Sequence, residues 1–107
     1  MALTQITYPG FTVDGTIGTS FGATNSRIAL PGSNVGTTDT LVRIVNLGPN
    51  TVSVALGDVT VVAATHTSLA IIPGQEFFLT IGAATYIAGI AHGSMGMGST
   101  VNISTGQ

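Results

Sequence analysis

Leu41-Val42-Arg43-Ile44-Val45-Asn46-Leu47-Gly48-Pro49-Asn50-Thr51-Val52-Ser53-Val54-Ala55-Leu56 is the stretch whose pattern decides the fold. β-Branched residues crowd both halves, and Gly48-Pro49-Asn50 between them is turn chemistry. In the first half Val42 and Ile44 share one face, with Arg43 and Val45 on the other. In the second, Val52, Val54 and Leu56 alternate with Ser53 and Ala55. A period of two is that of a strand, because successive side chains of extended backbone point to opposite faces. The two halves read as a β-hairpin closed by Gly57-Asp58.

The pattern continues toward the C-terminus. Val59 to Ala63 reads as a third strand, and Ser68 to Ile72 as a fourth that stops at Pro73-Gly74. Glu76 to Ile81 is a fifth, with Phe77 and Leu79 opposite Phe78. Thr85 to His92 is a sixth, and Thr100 to Thr105 a seventh with Val101 and Ile103 inward. Pro9-Gly10, Pro31-Gly32 and Pro73-Gly74 each suit a type II turn, where proline presets φ and glycine supplies a positive one. No stretch carries the i, i+3, i+4, i+7 apolar spacing of a helix, so parallel α/β architecture is excluded for want of crossovers. The expectation is an all-β, antiparallel, jelly-roll-like sandwich.

Upstream the signal weakens. Leu3 to Tyr8 and Phe11 to Val13 read as short strands, while Gly15 to Thr40 is rich in Gly, Thr, Ser and Asn with isolated apolar points. We divide the single domain into an N-terminal extension, 1–40, and a sandwich body, 41–107. The extension has two readings. It is a set of surface loops with one or two edge strands, or an arm that orders on a neighbouring subunit by inserting Phe11 or Phe21.

Composition narrows the function. The chain of 107 residues is 44% hydrophobic and 6% charged, against about 25% charged in ordinary soluble domains. Its charged residues are Asp14, Arg27, Asp39, Arg43, Asp58 and Glu76, with no lysine, and its mean hydropathy is +0.56. Two arginines sixteen positions apart build no basic face, which argues against nucleic acid and membrane surfaces as partners. No cysteine means no disulfide and no thiolate chemistry. The first residues lack the pattern of a secretion signal, which points to synthesis and use in the producing cell's cytoplasm. Charge keeps proteins dispersed, so a surface this poor in it is expected to lie against other protein in a homo-oligomer. Val59-Thr60-Val61-Val62-Ala63 and Leu69-Ala70-Ile71-Ile72 carry no charge to guard a sheet edge. They are central strands or are covered by assembly.

Chemistry is thinly supplied. His66 and His92 are the candidate bases, and each reads as a solvated or hydrogen-bonded histidine. No G-x-S-x-G positions a nucleophile, and no metal-ligand spacing occurs, so neither catalytic nor metal nor cofactor residues are assigned. Gly96-Met97-Gly98 lacks the third glycine and the helix of a phosphate loop, and with Met95 it reads as a connection. Asn102-Ile103-Ser104 is a chance sequon within a strand. Phe77 and Phe78 face opposite sides of one strand. The outer ring is covered either by a subunit contact or by the N-terminal segment. The candidate assembly contacts are Phe11, Phe21, Arg27 and Phe78.

The run from Arg43 through Gly48-Pro49-Asn50 to Val52 is followed by Leu69 to Gln75 with its Pro-Gly turn. A Phe-rich strand, the Tyr86 strand and Val101-Asn102-Ile103-Ser104-Thr105-Gly106 complete the order. This succession resembles the small jelly-roll decoration, or cement, proteins of tailed bacteriophage heads. The resemblance implies a dimer or trimer on the capsid exterior that clamps neighbouring copies of the major capsid protein. It is one of pattern over 40–106, so no functional residue is carried over from it. A tail or baseplate module that binds a host glycan is the alternative, and a secreted adhesin or pilin-like subunit a further one.

Overall fold

The computed structural model describes residues 11–63, 68–92 and 98–107. The expected strand over 3–8, the Pro9-Gly10 turn, His66, Met95 and Met97 lie outside the described residues. Eight strands lie among the described residues: β1 (Val13–Phe21), β2 (Ser26–Ala29), β3 (Leu41–Asn46), β4 (Val52–Gly57), β5 (Leu69–Ile71), β6 (Glu76–Thr80), β7 (Tyr86–Ala91) and β8 (Ser99–Gly106). They form two four-stranded antiparallel sheets ordered β1-β8-β3-β6 and β2-β7-β4-β5. Interleaved sheets of these orders are those of a jelly roll.

The strand periodicity is realised across each sheet. On the inner face of the first sheet Ile17, Ile103, Ile44 and Phe77 stand in one row, and Thr105, Val42 and Leu79 in the next. The inner face of the second carries Ile28, Ile87 and Leu56 in a row, beside Val54, Gly89, Val52, Ala91 and Ile71. Phe21, Val42, Ile44, Val52, Ile87, Val101 and Ile103 are fully or almost fully removed from water and make the core. Phe21 reaches from the end of β1 across to β7, where Gly89 leaves the space for its ring.

Two expectations are corrected. The first concerns the hairpin. Residues 41–47 and 51–56 are strands, but β3 and β4 lie in opposite sheets and do not pair. The Gly48-Pro49-Asn50 connection crosses the sandwich, and Asn46 fixes the crossing. Its Nδ2 donates to Asn50 O (2.7 Å) and Ile71 O (2.8 Å), while its Oδ1 accepts from Gly48 N (3.1 Å) and Ser99 Oγ (2.7 Å). A Cβ at Gly48 would collide with Ser99 Oγ, so the bend passes too close to β8 for any larger residue.

Second, residues 59–63 are a loop rather than a strand. Asp58 Oδ1 accepts from Thr60 N (2.8 Å) and Thr60 Oγ1 (2.5 Å), and Val61 N donates to Asp58 O (3.0 Å). That side-chain turn stops β4 from continuing. The loop folds back on the outer face of its own sheet. Val61 packs over Gly57, Arg27 Nη1 reaches Val61 O (3.4 Å), and Ala63 N donates to Asn25 Oδ1 (2.8 Å).

Within the N-terminal segment, 13–21 and 26–29 are edge strands. β1 and β2 supply one strand to each sheet, and β1 runs along the whole of β8 from Val13↔Gly106 to Phe21↔Ser99. Thr12 and Gln107 extend that pairing by exchanging backbone hydrogen bonds of 2.7 and 3.1 Å. The weak pattern of this segment is that of edge strands, whose outward and end residues need no apolar partner.

Candidate assembly surfaces

The four expected contact residues fall in three places. Phe21 has no exposed surface: it fills the protein's own core and has no ring to offer a neighbour. Phe78 points outward from β6, and Phe11 packs edge-on against it, with ring centroids 5.3 Å apart and planes at 78°. Of the two covers expected for the outer ring, the N-terminal segment of the same chain is the one found. An edge-to-face pair of this kind follows from the positive rim and negative face of aromatic rings. Arg27 is exposed on β2, near Asp58 and the Val61 carbonyl.

The other arginine is already engaged. Arg43 Nε donates to Glu76 Oε2 across the β3–β6 register, on the same outer face as Phe78. The Thr60 hydroxyl and then its N–H hold Asp58 below the usual aspartate range, with Arg27 adding a smaller contribution.

Exposed apolar side chains mark the surface that water covers badly. Leu47 (65% exposed) and Ile72 (55%) follow directly on Asn46 and Ile71, the residues tied together by the Asn46 amide, so they lie at the same end of the sandwich. Beside them β5 forms one edge of its sheet. It is three residues long, uncharged, with Leu69 and Ala70 exposed. Natural edges are ordinarily guarded by charge or proline. β6 carries Glu76 and β2 carries Arg27, but β5 carries neither kind of guard. Val59 (55%) and Val62 (62%) add a second exposed apolar group on the loop after β4.

One serine–histidine contact occurs among the described residues. Ser53 Oγ lies 2.5 Å from His92 Nε2, yet Ser53 is fully buried, so a substrate cannot reach the hydroxyl. Sequence reasoning missed two features of consequence. One is the role of Asn46. The other is the meeting of Asp14 with Asp39, residues 25 positions apart with no motif around them.

No protein-family model and no curated protein matches the sequence. Solved structures do. The chain of PirA shares 11% identity over 92% of this chain and 99% of that one, with a TM-score of 0.50. A chain from Bacillus endospore appendages, described as disulfide-linked pili, shares 9% identity over 100% and 98%, with a TM-score of 0.49. The tobacco streak virus coat protein shares 12% identity over 96% and 91%, at 0.39. What the PirA likeness establishes is the fold: a β-sandwich that unrelated sequences also adopt.

Proposed function

We propose that this protein is a structural subunit of a virion, a decoration or cement protein on the exterior of a tailed-phage head. It self-associates and binds the major capsid protein. The observation that carries this reading is a surface with few charges and several uncovered aliphatic side chains, Leu47, Ile72, Val62 and Val59 foremost. The jelly roll supports it as a fold that viral shells use, which is an argument by analogy only. The contact chemistry is passive. Apolar and hydroxyl-bearing surface is buried between copies and on the shell, and many weak sites on one lattice add as avidity.

Two tests follow. Native mass spectrometry of the purified protein, with and without empty heads of the same source, should show a dimer or trimer that also loads onto the heads. Because steering charges are scarce, the loaded fraction should change less than about twofold between low and high salt. A protein that stays a single copy at high concentration and ignores the heads would remove this reading. The second test addresses the edge. Leu69→Lys with Ile72→Lys places two charges at β5 and its exit and should convert the oligomer to monomer in gel filtration. Both side chains are partly exposed, so folding stability should shift by no more than about 0.5 kcal/mol per site.

A further inference from the structure

Three segments meet beside Gly32: the start of β1 through Asp14, the end of β8 through Thr105, and the loop before β3 through Asp39. A Cβ on Gly32 would lie 2.5 Å from Asp14 Oδ2, 2.6 Å from Thr105 Oγ1 and 3.1 Å from Asp39 Oδ2. Gly32 has φ +107°, so its lack of a side chain serves both the turn and the space. Three oxygens from separate parts of the chain therefore converge on the same side of Gly32, close against its Cα.

Their hydrogen bonding is unequal. Asp14 accepts from Asn34 N (2.9 Å) and Ser33 Oγ (3.4 Å). The Asn34 N–H, followed by a hydrogen bond shared with the Asp39 carboxyl, holds the Asp14 carboxyl below its ordinary range. Asp39 is 4% exposed, and no donor reaches its Oδ2. Burial above all, then the neighbouring Asp14 carboxylate, pushes its carboxyl up, against a smaller lowering by the Thr105 hydroxyl. Neither arginine serves the pair, since Arg43 is bound to Glu76 and Arg27 lies by Val61 and Asp58. A buried carboxylate oxygen that faces a second carboxylate without a donor is costly, and native proteins seldom leave one so.

A positive charge shared by the two carboxylates would relieve that cost. The atoms beside Gly32 are carboxylate and hydroxyl oxygens, with the Pro31 carbonyl bonded to the Thr105 hydroxyl close by. No nitrogen or sulfur ligand is among them. Hard oxygen donors of mixed type are the set that calcium takes, at 2.3–2.6 Å and with tolerant geometry. We propose that Asp14, Asp39 and Thr105 form a calcium site that fastens β1 and β8 to the loop preceding β3. The two carboxylates stand 25 positions apart in the sequence and match no ligand motif. Among the described residues no three of His, Cys, Asp and Glu cluster, so the site has few charged ligands. Its affinity belongs with weak sites, on the order of 0.1–1 mM. This inference stands apart from the virion reading and is tested without it.

The test uses the full chain at neutral pH. Isothermal titration with calcium chloride should show saturable binding of one ion per chain. The melting temperature should rise by roughly 6–12 °C from EGTA to 10 mM calcium, with magnesium at the same concentration giving less. Asp39→Asn puts an amide donor where the orphaned oxygen stood. It should melt higher than the natural protein in EGTA and lose the calcium response. Absence of calcium binding to the natural protein overturns the site, whether or not the variant folds. So does an Asp39→Asn protein that binds calcium unchanged. A natural protein indifferent to calcium but more stable at pH 5 than at pH 7 would show the pair sharing a proton instead.

Discussion

Asn46→Leu is expected to cost roughly 3–5 kcal/mol of folding stability, a large share of the 5–15 kcal/mol typical of a domain. The side chains are similar in size, so the loss is one of hydrogen bonding rather than volume. Asn46 is fully buried and its carboxamide serves Asn50, Ile71, Gly48 and Ser99 at once. Each buried polar group that loses its partner costs about 1–3 kcal/mol, and four sharing one residue do not add fully. Urea titration should show a lower midpoint with unchanged slope. A midpoint equal to that of the natural protein would mean that the crossing between the sheets is held by its backbone alone.

Phe21→Ala should cost about 3–5 kcal/mol, the range for emptying an aromatic site in a packed core. Phe21 is fully buried between the sheets. Its partner position gives the sharper experiment. A Cβ on Gly89 would overlap Phe21 Cγ and Cε2 at 2.5 and 2.6 Å. Gly89→Ala therefore forces the ring from its place and should itself destabilise by about 1–3 kcal/mol. With Phe21→Leu in the same chain the overlap is relieved, and the double variant should lose clearly less than the two single losses summed. Strict additivity in that cycle would show that the ring and the glycine do not share the space described.

The two large effects show which parts of the structure local pattern can reveal. Strands β3 to β8 are legible within one or two residues, because half-buried strands alternate and Pro73-Gly74 and Gly48-Pro49 break them. Their partners are not. Whether two neighbouring strands pair or part depends on the path of the three or four residues between them, and here on a carboxamide whose partners come from positions 50, 71, 48 and 99. Val59 to Ala63 has strand composition, yet one Asp58–Thr60 turn outweighs it. β1 escaped notice because Gly15, Thr16, Gly18 and Ser20 interrupt its apolar residues, and an edge strand tolerates this. The oxygen cluster at Gly32 is legible only in three dimensions. Pro31-Gly32 announces a turn, but nothing near it announces Asp14 or Thr105.

The side-by-side lie of β1 and β8 also governs when this chain becomes itself. On the ribosome the first of these strands emerges long before the last, at about 5–20 residues per second. Until β8 arrives, β1 and β3 both lack the neighbour that stands between them. The nascent polypeptide thus spends several seconds with open strands and few like charges to keep it from its siblings. For such a protein, crowding on a shared messenger is a hazard, and slower initiation or chaperone shelter should raise its yield more than added folding stability would.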